Sequence, residues 1–359
     1  MSMLTDDRRT HDPAPQRPPL THGQLGRRRE LEIALVAVGI GVGATLATGT
    51  NAVMGVLVAV VTHTALLYGA SRSVEGRRKA TDRLAASLVT TAFAAILVPL
   101  VSVLWTTVER GAARFDSEFF TGTMRSVVGE GGGGWHAIVG TGIVTGIAAV
   151  ISVPIGVLVA VYLVEYGRGR LARSITMMVD VMTGIPSIVA GLFAYALFVL
   201  FQGPGARSGL AGGVALAVLM TPVVVRASEE MLRLVPNELR EASYALGVPK
   251  WRTITKVVLP TAVAGILTGV TLAVARVIGE TAPLLLVAGL AQDTNLDPFE
   301  GRMTTLPVMA YYGYAAPGFP PEPGYDRGWT AALVLVLIVV FLFTTARVLA
   351  KILQPKGLR

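Results

Sequence analysis

Cysteine is absent from all 359 residues. That absence excludes disulfides, thiolate metal sites and cysteine nucleophiles together. Histidine is nearly absent too: there are four, two of them near the N-terminus. No HExxH-like pattern or Ser/Lys dyad accompanies them, so no catalytic residue and no metal site is expected, and an integral membrane enzyme is disfavoured. Charged residues make up 15% of the chain, against about 25% in soluble domains. No Gly-x4-Gly-Lys-Ser/Thr phosphate loop occurs, so the chain is not expected to bind ATP by that route. Nor does an apolar core with a small-residue cleavage site follow the first residues, so no cleaved signal peptide is expected.

What is abundant is apolar sequence. Hydrophobic residues are 52% of the chain. Eight runs alternate with polar breaks, at about 31–49, 51–70, 84–105, 135–164, 174–201, 209–232, 257–290 and 328–350. Each suits a bilayer-spanning helix of about 20 residues. The fold class expected is therefore all-α, a polytopic membrane helix bundle. The first two runs, separated by Gly49-Thr50-Asn51, form a hairpin. Residues 1–30 are polar and rich in Pro and Arg, and are expected to be a disordered tail. Gly39 and Gly43, spaced as G-x-x-x-G, are expected to form a helix-packing face.

The net charge of +8 does not point to nucleic acid, because the basic residues sit between apolar runs, where they set topology. With the N-terminus inside, 24 Lys and Arg flank the inner ends of the runs and six the outer ends. Both termini are therefore expected to be cytoplasmic. Two outer segments, about 106–134 and 291–327, are long enough to dock a soluble partner. The plain alternative is that they only connect helices.

One inner loop is patterned. It runs from Val235 to Pro260 and reads VPNELREASYALGVPKWRTITKVVLP. Asn237 is placed as an N-cap with Glu238 and Glu241 in the first turn. Leu239, Ala242 and Leu246 make an apolar stripe. Gly247 suits a left-handed helix end, and Pro249 the first turn of a second short helix. Such an amphipathic elbow either lies on lipid or fits a partner's groove.

The spacing Glu241-Ala242-Ser243, Gly247, then Val257-Val258-Leu259-Pro260 resembles the Glu-Ala-Ala…Gly…Ile-x-Leu-Pro motif of permease subunits of bacterial ABC importers, type I. Ser243 and Val257 depart conservatively from it. The resemblance implies that the elbow at 237–260 couples to a separate ATPase, with Glu241, Ala242, Gly247, Leu259 and Pro260 shaping that contact. ATP would be bound by the partner, and no cofactor is expected in this chain.

Two charges lie within an apolar run. Arg276 and Glu280 are spaced i, i+4, so they are expected to share a helix face. Ionisable groups cost about 2.5–3.5 kcal/mol at a span's centre on insertion scales. Either they lock helix packing as an ion pair, or they line a hydrated path in which the arginine binds an anion. In the second case Glu280 neutralises the arginine when the path is empty. Asp180 and His63 are expected to be interfacial and packing residues. Pro154, Pro186, Pro222 and Pro283 are expected to kink their helices.

Thr183-Gly184-Ile185-Pro186-Ser187-Ile188-Val189-Ala190-Gly191-Leu192-Phe193 and Arg276-Val277-Ile278-Gly279-Glu280-Thr281-Ala282-Pro283-Leu284-Leu285 are similar to motifs of the PstA-type permease family of phosphate importers, as is Leu306-Pro307-Val308. The resemblance covers about 84–350, the family's six-helix core. It implies phosphate transport, with Arg276, Glu280 and Thr281 along the path. The implied partners are a PstC-like permease forming a heterodimer, two PstB-like ATPase subunits and an extracytoplasmic phosphate-binding protein, in the plasma (inner) membrane. The alternative is an ABC permease for another oxyanion or small solute. The division expected is 1–30 tail, 31–83 extra hairpin and linker, 84–350 permease core and 351–359 cytoplasmic tail. The resemblance assigns no role to the two extra N-terminal helices.

Overall fold

The computed structural model describes residues 23–49 and 51–353. Most of the expected N-terminal tail, and residues 354–359 of the expected C-terminal tail, lie outside them. Every regular element among the described residues is helical. The chain divides into two compact units, one ending at Val103 and the other starting at Leu104.

The first unit holds α1 (Arg27–Thr48), α2 (Ala52–Val74) and most of α3 (Arg77–Gly111). Gly49, at φ 60°, ends α1 in the left-handed region, which glycine adopts without a Cβ penalty. The close approach of α1 and α2 falls at Gly41 and Gly55, where an added Cβ on Gly41 would strike the Gly55 carbonyl. The expected Gly39 and Gly43 face is open instead; it lies on the side of α1 turned away from α2. At the end of α2, buried Glu75 accepts hydrogen bonds from Leu25 N–H (2.8 Å), Ser71 Oγ (2.7 Å) and Arg83 Nε (2.7 Å). The Arg83 guanidinium holds the Glu75 carboxyl down at about 2. Arg83 also pairs with Glu30. Sequence separation hides this knot: Glu30 and Arg83 are 53 positions apart.

The second unit contains α4 (Ser117–Thr121), α5 (Trp135–Val161), α6 (Gly169–Thr183), α7 (Ser187–Gln202), α8 (Gly209–Arg233), α9 (Asn237–Ala245), α10 (Lys250–Thr253), α11 (Leu259–Ile278), α12 (Ala282–Val287), α13 (Leu306–Ala315) and α14 (Glu322–Leu353). Its main core gathers Val144 from α5, Leu216, Met220 and Val224 from α8, Val277 from α11 and Leu284 from α12. Helix α8 is the central one: 56% of its apolar window is buried within the chain, against 28% or less for the other spans. Much of the remaining apolar surface, such as Val150, Leu158 and Leu200, is exposed, as a lipid-facing surface would be.

Among the described residues, seven helices are long and apolar enough to cross a membrane, and an eighth span is formed if α6 and α7 are counted as one broken crossing. Sequence predicts a single run over 174–201; the chain instead bends by 106° between α6 and α7. Pro186 has no N–H for the helix ladder and disfavours helical geometry at Ile185. The bend falls at Gly184-Ile185-Pro186.

The run 257–290 also differs from expectation. Helix begins earlier, at Lys250, and passes through a π-turn at Ile254–Val258. That wider turn ends at Val258, two residues before Pro260, and eases the clash a proline ring makes with the carbonyl four residues back. Helix α11 ends at Ile278, and Pro283 opens α12 from its first turn rather than kinking a continuous span. Pro154 and Pro222 do lie inside α5 and α8.

The expected outer segments carry structure of their own. Phe119 of α4 and Leu306 and Met309 of α13 share a core with Ala331 and Val334 of α14.

Candidate transport cavity and coupling elbow

The break between α6 and α7 and the end of α11 meet at one cavity of about 170 Å³. The bend supplies Met182, Thr183, Ile185 and Ser187; α8 supplies Leu219, Pro222 and Val223. Arg276 and Glu280 complete the wall. The two sequence stretches singled out above, ninety residues apart, thus converge. Thr183 and Ser187 join Arg276 and Glu280 as candidate site residues. Only the bend reveals that both line the cavity.

The geometry of the charges differs from the expected shared helix face. Because α11 stops at Ile278, Arg276 occupies its last turn and Glu280 follows the helix end. No ion pair joins them among the described residues. Arg276 is exposed within this chain and Glu280 half-buried. The ion-pair alternative therefore has no support, and Arg276 is free to meet another anion. Ser187 opens α7; Val189 and Ala190 N–H donate to the Pro186 carbonyl, and the N–H groups of Ser187 and Ile188 are left at the positive end of the helix dipole. Arg276 and that helix start together favour an anion, while Glu280 limits the charge tolerated. Thr281 sits at the N-terminal end of α12 without a side-chain capping bond and is not part of the cavity wall.

The α7 approach to α12 is close. A Cβ added to Gly191 would lie 2.7 Å from Pro283 Cα, so the contact requires glycine. Nearby, Asp180 of α6 pairs with Arg226 of α8, so it is more than interfacial. Arg226 also binds buried Glu229 at 2.8 Å, and Glu229 in turn accepts from Arg233 at 2.6 Å. This chain of charges ties α6 to α8 about one turn from Thr183. His63 Nδ1, in α2, is buried without a hydrogen-bond partner among the described residues.

The elbow is built from α9, α10 and the π-turn. Pro236, not Asn237, occupies the N-cap position of α9, and no side chain caps it. Asn237 is already helical, and its Oδ1 accepts from Arg240 Nη1 at 3.3 Å. At the far end Gly247 has φ 74°. Gly247 N–H donates to Tyr244 O at 2.9 Å and Val248 N–H to Ser243 O at 3.2 Å, the paired bonds of a Schellman stop. Pro249 takes the N-cap position of α10, one residue before the first turn expected for it. The second arm is continuous with α11 through the π-turn and is not a separate helix.

Two contacts that sequence did not reveal brace the elbow. Ser243 Oγ and Thr253 Oγ1 share a buried hydrogen bond of 2.8 Å across its arms. Arg240 donates to the Leu232 and Val235 carbonyls at 3.0 and 2.6 Å and pairs with buried Glu165 at 2.9 Å. Glu165 lies in a π-turn that extends α5, and Lys250 Nζ reaches its backbone carbonyl. Glu241 and Ala242 are exposed, as are Tyr244, Leu246 and Trp251. Leu259 is half-buried and Pro260 exposed. Such an apolar exposed face on a braced turn is the form a docking surface takes.

Comparison with known proteins now bears on these features. The family model described as "Binding-protein-dependent transport system inner membrane component" matches residues 152–358. The phosphate transport system permease protein PstA 1 of Mycobacterium tuberculosis strain H37Rv is 48% identical over 266 residues, covering 73% of this chain and 85% of that protein. PstA of Mycobacterium leprae is 46% identical over 273 residues, covering 75% and 88%. PstA of Yersinia pestis is 37% identical over 286 residues, covering 79% and 95%. Among solved structures, a chain of the inward-facing MetNI methionine ABC transporter aligns with a TM-score of 0.48 at 23% identity, covering 62% of this chain and 94% of that one.

Proposed function

From the premise that this chain belongs to the binding-protein-dependent transport system inner membrane components, as a phosphate permease subunit of the PstA type, we propose how its residues serve transport. As a multi-span subunit of an ABC importer, it needs a pathway and a connection to an energy source. The α6–α7 bend, α8 and the end of α11 supply one wall of the pathway, with Arg276 as the anion-binding group and Glu280 beside it. The meeting of Thr183, Ser187, Arg276 and Glu280 at one cavity is the observation that carries this reading. Thr281 contributes next to that wall from the non-helical turn between α11 and α12.

The other half of the pathway is a PstC-like permease, which covers the exposed side of Arg276. Two PstB-like ATPase subunits bind ATP and dock on the elbow through Glu241, Ala242, Gly247 and the exposed apolar residues around them; Leu259 and Pro260 set the join to α11. This chain itself binds no cofactor and performs no covalent chemistry. A soluble phosphate-binding protein delivers the ion at the opposite end of the bundle. Both termini face the cytoplasm of a plasma (inner) membrane, in keeping with the bias of Lys and Arg. Residues 84–350 act as the permease core and 31–83 as an added hairpin and linker. Closure of the ATPase pair pulls the elbow, and α8 and α11 tilt to open the cavity outward. Hydrolysis resets them.

Uptake of radiolabelled phosphate by cells carrying the full transporter tests the assignment. Arg276→Ala is expected to lower uptake at least about tenfold, as loss of a charge-assisted anion contact of roughly 1.5–3 kcal/mol requires. Sulfate and molybdate should compete poorly against the unaltered chain. Unchanged uptake by Arg276→Ala would remove the residue from the pathway.

A further inference from the structure

Helix α5 begins beside a second cavity and ends at the elbow, so its 27 residues separate the two by roughly 40 Å at 1.5 Å per residue. That cavity has a volume of about 320 Å³ and lies between α5, α13, the start of α14 and the loops beside them. Its wall includes Arg327, His136, Gln292, Tyr312, Met124 and Phe319. It shares no lining residue with the cavity at Arg276.

Two buried groups in its wall are chemically incomplete. Arg327 is 8% exposed, and no carboxylate comes within 4.0 Å of it among the described residues. Its Nη1 donates to the Gly129 carbonyl at 2.8 Å and the Gly131 carbonyl at 3.0 Å. Those contacts leave Nε and Nη2 without protein partners among the described residues. His136 is 4% exposed, and its Nδ1 has no hydrogen-bond partner among them. A buried cation without a counter-ion is costly, and a hydrogen-bonded anion offsets that cost. The remaining guanidinium edge presents two N–H donors with the fork spacing that fits two oxygens of one oxyanion. The imidazole of His136, in the same wall, can offer a ring nitrogen to a further oxygen of that anion. Arg114 holds the same glycine loop by donating to the Gly131 carbonyl at 3.0 Å and to Gly132 at 2.9 Å. The loop is thus fixed by two arginines. The nearby carboxylate of Asp293 is engaged by Arg125 at 3.1 Å.

We propose that this cavity is a second oxyanion site of the chain, at the end of α5 remote from the elbow, with Arg327 and His136 as its ligands. The choice of inorganic phosphate as the oxyanion rests on the reading of the chain as a phosphate permease. The site's position makes it an entry site, occupied before the ion reaches Arg276.

The test is equilibrium dialysis of radiolabelled inorganic phosphate against the full chain in lipid nanodiscs, with Arg276→Ala as the background that silences the other cavity. One saturable site per chain is expected in that background, at least tenfold weaker after Arg327→Gln and several-fold weaker after His136→Leu. Arg327→Gln also releases the glycine loop, whereas His136→Leu does not touch it, so loss of folding in the first leaves the second decisive. No binding in the Arg276→Ala background, or binding that His136→Leu leaves unchanged, overturns the site. Unchanged phosphate binding with weaker capture of the phosphate-binding protein would assign the cavity to a carboxylate of that protein and likewise overturn it. Uptake by the Arg276→Ala transporter reports separately on the pathway, so the two readings fail independently.

Discussion

At the scale of single residues, the braces of the chain are arginines that meet buried acids. Arg240 is the clearest: it joins the elbow to the end of α8 through two carbonyls and to α5 through Glu165, whose side chain is 4% exposed. Removing one partner of a buried pair leaves the other desolvated without compensation, at about 3–5 kcal/mol. Arg240→Ala is therefore expected to lower the unfolding temperature of the purified transporter clearly, and Glu165→Leu alone to do the same. The double variant Arg240→Ala with Glu165→Leu should recover a large part of the loss, because no charge is then stranded. Thermal unfolding of the four proteins as a double-mutant cycle measures the coupling, and strictly additive losses would refute the brace. None of this was legible in sequence. Glu165 and Arg240 are 75 positions apart, and each looks like an ordinary charge at the inner end of an apolar run.

At the scale of elements, turn chemistry was legible and continuity was not. Gly247 was assigned to a left-handed helix end from its place after the apolar stripe, and its φ of 74° agrees. A kink at Pro186 is legible in sequence; the full 106° break it becomes and the stop after Ile278 are not, because hydropathy continues across both. An apolar run reports what a segment is solvated by, not whether its backbone stays helical. The cost of that error fell on the site: Arg276 and Glu280 were read as neighbours on one face when a helix end separates them. The Gly247 stop gives an element-level prediction. A β-branched residue there meets a steric penalty of at least about 1–2 kcal/mol in the left-handed region, whereas asparagine tolerates it. Gly247→Val is expected to reduce phosphate-stimulated ATP hydrolysis in the assembled transporter several-fold, and Gly247→Asn to retain most of it. Equal activity in both variants would show that the shape of the stop does not matter to coupling.

At the scale of the whole chain, the functional parts are confined to the second unit. Its cores draw on residues from Phe119 onward, and both cavities and the elbow lie between Met124 and Arg327. The first unit has its own device, the Glu75–Arg83–Glu30 knot. Topology adds a second argument. The hairpin of α1 and α2 contributes an even number of crossings, so its removal leaves every later helix in the same direction. In the proposed orientation, the retained Arg77, Arg78, Lys79 and Arg83 still favour the start of α3 as the inner end. A chain that begins at Arg77 is accordingly expected to insert, copurify with the ATPase and take up phosphate at a rate within about twofold of the full chain, since the proposed pathway and coupling residues all belong to the second unit. Loss of Glu75 and Glu30 frees Arg83 to reach the lipid headgroups by extending its side chain. Uptake measured at matched membrane abundance decides the matter. A shortened chain that inserts and still fails to transport would place a required role in the added hairpin.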